Sequence, residues 1–246
     1  MKLSIVMLAW IRNNELYSLT DQTLQSFRDA EGSGNTELII VDNASPIGGD
    51  QLFNACDIFI RNKENVGYPK GVNQGVKVSS GDLIAVANND IKVSPNWIKV
   101  TQEVFERLPK AGTLHFKMVG YDEPFSLDNK VWDKGRERWC HGSFFVIRRK
   151  VIEEIGYYDE NYGLGGYDDW DLQKRIRDAG YTTVYTNGAA FQHKDSSTLN
   201  TLENKARATS DNKNREYFKS KFNEYPEVLF EQQYESQLKR PWKPFP

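Results

Sequence analysis

Asp90 is the first residue of this sequence whose type and position suggest chemistry. It comes soon after the apolar run Leu83–Ala87, in the sequence AVANND. A short apolar run of this kind predicts a buried strand. A carboxylate just past such a strand can hold a hard divalent cation against a diphosphate. An ordinary turn also explains Asp90, because Asn and Asp favour turns.

His193 is the second candidate. It follows a short and mostly apolar stretch, Ala189–Gln192. A neutral imidazole is a good ligand for ions of the manganese type. A lone histidine is more often structural, so the residue supports a metal site only together with other ligands.

An acidic cluster follows a glycine-rich stretch later in the chain. Asp168, Asp169 and Asp171 fall within four residues at the start of a predicted helix. The helix dipole favours acidic residues in a first turn, which accounts for one or two of them. Crowded carboxylates also raise one another's pKa, which suits a general base. Asp171 would face another side of the helix and is expected to be a cap or an ion-pair partner. The preceding glycines, Gly163, Gly165 and Gly166, predict a loop that could close over a ligand.

Asp42 is a fourth candidate, at the end of the apolar run ELIIV. A carboxylate here could accept a hydrogen bond from the imide of a nucleobase. A turn at the end of the strand is the competing interpretation.

The first half of the chain alternates strand-like and helix-like segments, which predicts a mainly parallel sheet with right-handed crossovers. The predicted strands are Leu3–Ala9, Glu37–Val41, Asp57–Arg61 and Leu83–Ala87, and the predicted helices are Glu15–Phe27, Gly71–Ser80 and Pro95–Leu108. In such sheets, ligands bind beyond the carboxyl ends of the strands. Polar clusters follow three of the strands in that way: Trp10–Asn13, Asp42–Ser45 and Asn88–Asp90.

The second half is less regular. We expect residues 109–140 to be irregular and residues 200–223 to be helical, with a proline-rich tail after them. The other predicted elements are a strand over Gly142–Arg148, a helix over Lys150–Ile155 closed by Gly156, a helix over Asp168–Ala179 and a strand over Thr182–Tyr185.

Composition excludes several classes of protein. Of the 246 residues, 39% are apolar and 27% are charged, which is typical of a globular domain rather than a disordered chain. A net charge of −2 gives no support for nucleic acid as a partner. No apolar run is long enough to span a membrane, and the start of the chain is expected to be a strand rather than a signal peptide. Cys56 and Cys140 do not form a CxxC pair and are expected to be reduced thiols of a cytoplasmic protein.

Taken in order, these segments resemble the family 2 glycosyltransferases of the GT-A fold, over about residues 3–222. The segments that carry the resemblance are SIVMLAW, ELIIVDNAS, NVGYPKGVNQGVKVSSGDLIAVANND, the stretch from GSFFVIRRK to YDDWDLQKRIRDAGY, and FQHKDSS. The resemblance implies an α/β fold whose mainly parallel nucleotide-binding sheet is sandwiched by helices. It also implies a GT-A domain over residues 1–200, divided into nucleotide-binding (1–108) and acceptor-binding (109–200) halves. Residues 201–246 would form a helical segment with a proline-rich tail.

The resemblance also implies a reaction. It would be an inverting transfer from a nucleotide-diphosphate sugar, commonly UDP- or dTDP-linked, to a hydroxyl of a glycan or other acceptor, within polysaccharide biosynthesis. Asp169 would be the general base and Asp168 its acidic neighbour, while Asp90 and His193 would hold Mn²⁺ or Mg²⁺. The implied donor-nucleotide residues are Ala9, Trp10, Arg12, Asp42, Asn65, Gly67, Lys70, Asn73 and Asn89, and the implied acceptor residues are Trp139, Gly142, Ser143 and Trp170. A peripheral membrane contact is left open, and the oligomeric state is not indicated.

The sequence departs from the family pattern at several of these positions. The first Asp of the family's Asp-x-Asp motif is Asn88, which keeps an amide oxygen but loses a charge. The Glu of the Glu-Asp pair is Asp168, and Val72 stands where an Arg is frequent, with Lys70 as a substitute. A non-catalytic binding relic of the fold is therefore the main alternative, which Asn88 favours and the intact Asp90, Asp169 and His193 disfavour. A sugar nucleotidyltransferase is a weaker alternative, because AWIRNNEL lacks the glycines of a phosphate loop.

Overall fold

The structure is a computed structural model that describes residues 1–121, 123–128, 131–133, 142–194 and 204–225. Its strands are β1 (Leu3–Ala9), β2 (Thr36–Asp42), β3 (Ile58–Arg61), β4 (Leu83–Asn88), β5 (Ile91–Val93), β6 (Ala111–Val119), β7 (Val131–Asp133), β8 (Phe144–Arg148) and β9 (Thr182–His193). Its helices are α1 (Asn14–Arg28), α2 (Gly49–Asn54), α3 (Tyr68–Val78), α4 (Trp97–Arg107), α5 (Arg149–Ile155), α6 (Asp168–Asp178) and α7 (Asn204–Phe222).

Within these ranges, nine strands form one sheet in the order β3-β2-β1-β4-β8-β6-β9-β5, with β7 also paired to β9. The half built from β1 to β4 is parallel, as predicted. The other half is mixed: β8 runs antiparallel to both β4 and β6, and β9 runs parallel to β6 but antiparallel to β5 and β7. The expectation of a mainly parallel sheet therefore holds for the half built from β1 to β4 only.

Helices cover both faces of the sheet, as the predicted sandwich requires. Alternate residues of a strand point to opposite faces. In β1, Ile5 and Met7 join the core under α1 and α4, whereas Val6 joins the core under α3, α5 and α6. The α/β fold with helices on both sides of the sheet is thus confirmed. None of the helices in the described ranges has the length and apolar character needed to cross a membrane.

Residues 111–119 contradict the expectation that the whole stretch 109–140 is irregular. They form the nine-residue strand β6, which pairs with β8 on one side and β9 on the other. Its sequence, AGTLHFKMV, contains a glycine and breaks its apolar alternation, so the local signal for a strand is weak. Hydrogen bonding to β8 and β9 therefore stabilises a strand that the local sequence favours only weakly. Strand β9 is likewise longer than predicted, because it continues past Tyr185 to His193.

Candidate active site

The carboxyl ends of β1, β2 and β4 meet at one edge of the sheet. The register places Ala9 beside Asp42 across one pair of strands, and Leu8 beside Asn88 across the other. Polar groups that are far apart in sequence are therefore neighbours, as the parallel topology predicts. This edge is the floor of the candidate site.

Asp42 lies fully buried at this edge and organises the loops around it. Its Oδ1 accepts a hydrogen bond from the Ser45 N–H (2.8 Å), and its Oδ2 lies 3.4 Å from Arg61 Nη1. Ser45 Oγ in turn accepts from the Ile11 N–H at 2.8 Å, which joins the loop after β1 to the loop after β2. Asp42 thus closes the turn that the sequence offered as its competing interpretation, and its contact with a nucleobase stays a prediction. Arg61 was not a sequence candidate.

A set of amides shapes the wall beside this edge. Asn43, which was not a candidate, donates from Nδ2 to Asn65 Oδ1 (2.7 Å), and Asn65 Oδ1 also accepts from the Gly67 N–H (2.9 Å). Asn73 is buried, donates to the Tyr158 carbonyl oxygen (2.9 Å) and accepts from the Tyr158 N–H (3.0 Å). Asn65 and Asn73 therefore hold backbone in place, and any direct donor contact by them stays a prediction.

The remaining donor candidates are spread around the edge. Trp10 is half-buried, with the Arg12 guanidinium 4.8 Å from its ring centre. Lys70 is exposed on α3. Asn89 is buried and donates to Thr20 Oγ1 in α1 (2.8 Å), so its amide is engaged away from the other candidates.

The metal candidates lie together. Short antiparallel pairing of β5 with β9 places Ile91 opposite His193, which brings the preceding Asp90 beside the imidazole. Asp90 Oδ1 lies 3.2 Å from His193 Nε2, and Asn88 Nδ2 lies 3.5 Å from the same nitrogen. This proximity of Asp90 and His193 is what the hypothesis of a metal site requires.

The donor chemistry of this group fits a divalent cation only in part. Among the described residues, no group of three or more His, Cys, Asp or Glu side chains is arranged to hold a metal ion. Within the same residues, Asn88 Oδ1 is buried without a hydrogen-bond donor, and Asp90 Oδ1 is buried beside His193 Nε2. A carboxylate, an amide oxygen and an imidazole suit Mn²⁺ or Mg²⁺ when a diphosphate supplies the remaining oxygen ligands. The site therefore fits a metal that is shared with a ligand rather than one held by protein alone.

The acidic pair begins α6. Asp168 is buried, and its Oδ1 accepts from the Gly166 N–H at 2.6 Å. Burial and, after it, the charge of Asp169 raise the pKa of Asp168 to about 7. Asp169 is half-buried, and its Oδ1 accepts from the Trp170 N–H at 2.9 Å. Asp171 is fully buried and ion-paired with Arg175 at 2.6 Å, which confirms its predicted structural role.

Two acceptor candidates border the acidic pair. A Cβ atom added to Gly142 would stand 3.0 Å from the Asp169 Cβ, so the glycine backbone lies directly against the side chain of Asp169. Ser143 is buried, and its carbonyl oxygen accepts from the Asn88 N–H at 2.9 Å, which ties this segment to the metal candidates. Trp170 is half-buried, while Trp139 lies outside the described residues.

Tyr68, at the start of α3, connects the metal candidates with the acidic pair. It was not among the residues predicted from the sequence. Its hydroxyl donates to the Gly142 carbonyl oxygen at 3.1 Å. Burial raises its pKa well above the usual range, and the charges of Asp168, Asp169 and Asp90 raise it further. All three carboxylates are therefore near enough to act electrostatically on the Tyr68 hydroxyl. The Gly142–Ser143 segment links the metal candidates to the acidic pair, because Ser143 binds the Asn88 N–H and Gly142 lies against Asp169.

A sheet that is parallel in its first half and mixed in its second, with helices on both faces, is the GT-A fold. The chain belongs to glycosyl transferase family 2, whose sequence model matches residues 4–156. The resemblance inferred from the sequence motifs is thereby confirmed.

Two relatives illustrate the sequence similarity. A glucosyl-dolichyl phosphate glucuronosyltransferase of Haloferax volcanii is 26% identical over 186 residues, which cover 68% of this chain and 58% of that protein. The uncharacterized glycosyltransferase YfnE of Bacillus subtilis is 24% identical, over 74% of this chain and 62% of that protein. The chain thus spans less than two thirds of the length of either relative.

Solved structures share the fold at low sequence identity. S. aureus TarS 1-349 in complex with UDP-GlcNAc aligns with a TM-score of 0.66 and 12% identity, over 82% of this chain and 62% of that one. GalNAc-T7 with UDP, GalNAc and Mn²⁺ aligns with a TM-score of 0.64 and 14% identity, over 78% of this chain and 43% of that one. At these identities the likeness establishes the fold alone.

Proposed function

We propose that this chain transfers a sugar, with inversion, from a UDP- or dTDP-linked donor to a hydroxyl of a glycan or other acceptor. The observation that supports the proposal is that the Gly142–Ser143 segment lies against Asp169 on one side and binds the Asn88 N–H, next to the Asp90–His193 pair, on the other. UDP-containing structures of the same fold support the choice of donor. A cytoplasmic location and a role in polysaccharide biosynthesis belong to the same proposal.

Asp169 acts as the general base. It removes the proton from the acceptor hydroxyl while the hydroxyl oxygen attacks the anomeric carbon. The bond from that carbon to the diphosphate oxygen breaks on the opposite side, and the departing nucleoside diphosphate keeps the electron pair. Asp169 suits this role better than Asp168, because Asp169 is half-buried and lies against Gly142, whereas Asp168 is buried and bound to the Gly166 N–H. A positioned base contributes roughly 10²–10⁴-fold to rate.

Asp90 and His193, with the Asn88 amide oxygen, would hold Mn²⁺ or Mg²⁺, which supplies positive charge opposite the diphosphate. Tyr68 fixes the position of α3 relative to the segment beside Asp169, because its hydroxyl donates to the Gly142 carbonyl oxygen.

A donor screen by thermal shift tests the proposal. Nucleotide sugars with different bases are added with and without Mn²⁺. A true donor at 100 times its Kd stabilises the fold by about 2.7 kcal/mol, which for a chain of this size is a rise in Tm of roughly 5–10 °C. Release of nucleoside diphosphate is then measured with the donors that bind. Binding without release would favour the non-catalytic alternative, for which the uncharged Asn88 is the supporting feature. No binding of any nucleotide sugar would contradict the proposal.

The buried Asp168 gives a prediction about stability and pH. Its pKa is about 7 in the folded protein, against an ordinary value of 3.8. Between these values the folded state keeps a proton that the unfolded state releases, so Asp168 destabilises the fold progressively as pH rises from about 4 to 7. Asp168→Asn removes this cost and can still accept the Gly166 hydrogen bond. We expect the variant to gain stability over wild type at pH 8, and the gain to shrink as pH falls to 5.

Urea unfolding at both pH values measures this difference. Asp178→Asn, which removes an exposed carboxylate from the same helix, is the matched control for loss of a charge. An equal effect of Asp168→Asn at pH 5 and at pH 8 would show that the pKa of Asp168 is not raised in the folded protein.

A further inference from the structure

Helix α7 buries one polar residue against the loop that precedes the acidic pair. Asn214 is 2% exposed, and its Nδ2 donates to the carbonyl oxygens of Tyr162 (2.9 Å), Gly165 (2.9 Å) and Gly166 (3.1 Å). Three carbonyl groups of one loop thus converge on a single amide nitrogen. An amide NH₂ has two hydrogens, so one of these hydrogens is shared between two carbonyl oxygens.

This loop has a backbone that needs external support. Gly165, Gly166 and Tyr167 all have positive φ angles, of 117°, 94° and 67°. Glycine adopts such angles readily, but for a residue with a side chain the left-handed region costs roughly 1–2 kcal/mol. Such a conformation persists only where the surrounding structure determines it. The Asn214 amide is a contact that does so from outside the loop.

The supported loop leads directly to the acidic pair. The Gly166 N–H donates to Asp168 Oδ1 at 2.6 Å, and the Tyr167 carbonyl oxygen accepts from the Asp171 N–H at 3.0 Å in the first turn of α6. On its other side, the Leu164 carbonyl oxygen accepts from the Tyr68 N–H at 3.3 Å. The loop therefore sets where Asp168 and Asp169 point and where Tyr68 stands.

A second contact from α7 holds the same region. Lys221 Nζ lies 2.6 Å from Asp171 Oδ2 and 2.6 Å from Asp159 Oδ2. The Tyr217 hydroxyl also donates to Asp159 Oδ2 at 2.9 Å. Helix α7 thus binds Asp159, which precedes the loop, and Asp171 in α6, which follows it, while Asn214 binds the loop itself.

We propose that Asn214 is a positioning residue for sugar transfer: by holding the carbonyl groups of the 162–166 loop, it orients Asp168 and Asp169 toward the acceptor. The catalytic part of this inference rests on the proposed function, whereas the control of the loop does not. Asn214 touches no reacting atom and acts through the loop alone.

The variants Asn214→Ala and Asn214→Asp in the full chain test the proposal. Asn214→Ala removes the donors and leaves space. Asn214→Asp keeps the size but sets a carboxylate against three carbonyl oxygens. Both should lower kcat by about 10- to 100-fold with the donor KM unchanged, because small displacements of catalytic groups cost that much. Asn212→Ala, at an exposed asparagine two residues away, is the matched control and should retain full activity. If Asn214 only filled space, Asn214→Asp would retain the rate.

Hydrogen exchange provides a readout that does not depend on activity. Amides of residues 162–167 should exchange faster in both variants than in wild type and Asn212→Ala, while amides of β1 and β4 stay equally protected. Asn214→Ser, which keeps one hydroxyl donor, should be intermediate and serves if the other variants fail to fold. Faster loop exchange in a protein that transfers no sugar would keep the control of the loop and discard the proposed function. Unchanged loop exchange in a folded variant would overturn the inference.

Discussion

Replacing Asp169 with asparagine is expected to reduce kcat for sugar transfer by roughly 10²–10⁴-fold, because an amide cannot take the acceptor proton. The exchange preserves shape, and the oxygen of the introduced amide can still accept the hydrogen bond that the Trp170 N–H gives to Asp169. Donor affinity, measured by calorimetry with Mn²⁺, should be unchanged, because Asp90 and the sheet edge at Asp42 are untouched. The loss should therefore fall on kcat and not on the donor KM.

The Asp178→Asn variant is the control for this experiment as well, since it removes a carboxylate from the exposed part of the same helix. A folded Asp169→Asn protein that transfers sugar at the wild-type rate would remove Asp169 from the mechanism. A comparable loss in Asp168→Asn alone would move the role of base to its neighbour.

Asp90→Asn is the second variant with a large expected effect. The proposal gives Asp90 the charge that holds a cation against the diphosphate. Its loss should lower kcat/KM on the order of a thousandfold, which corresponds to several kcal/mol of leaving-group stabilisation. The variant should also lose the increase in nucleoside diphosphate affinity that Mn²⁺ gives to wild type. Titration of the nucleotide with Mn²⁺ and with EDTA measures that difference.

Asn88→Asp is a matched variant in the opposite direction. It restores a carboxylate beside Asp90 and His193 and should tighten Mn²⁺-dependent nucleotide binding. If Asp90→Asn keeps the full effect of Mn²⁺ on nucleotide binding, the metal role of Asp90 is wrong. The Asp169 prediction would survive that outcome, because it does not depend on the cation.

The sequence was most informative where local pattern and burial agree. β1 has the bounds predicted for it because Leu3–Ala9 is a mostly apolar run with a parallel partner on each side. Asp42 and Asn88 lie at the same edge of the sheet for the same reason, since they stand at the carboxyl ends of the two strands that flank β1. The helical period also predicted correctly that Asp171 faces another side of α6 from Asp169 and has a structural role.

What sequence reasoning missed depends on contacts between distant segments. Strand β6 is defined by partners on both sides rather than by its own residues. Tyr68 lies next to a recognised motif, but only the fold brings its hydroxyl to Gly142. Asn214 sits in a polar helix whose sequence gives no sign that one amide is buried against a distant loop.

The structure also changes how some predicted residues are understood. The side-chain NH₂ and oxygen of Asn73 both bond to the Tyr158 backbone, and the Asn89 side chain donates to Thr20 in α1. Motif membership alone did not distinguish such supporting amides from groups that face a ligand. The distinction came from hydrogen-bond partners.

The central claim is that one crevice holds the diphosphate at Asp90 and presents the anomeric carbon to residue 169. A crystal structure of the Asp169→Asn variant with Mn²⁺ and an intact donor, including anomalous data at the manganese edge, tests it most directly. We predict an anomalous peak between Asp90 and His193, with the sugar extending from the diphosphate toward the substituted side chain. A donor bound elsewhere, or one whose sugar points away from residue 169, would contradict the claim.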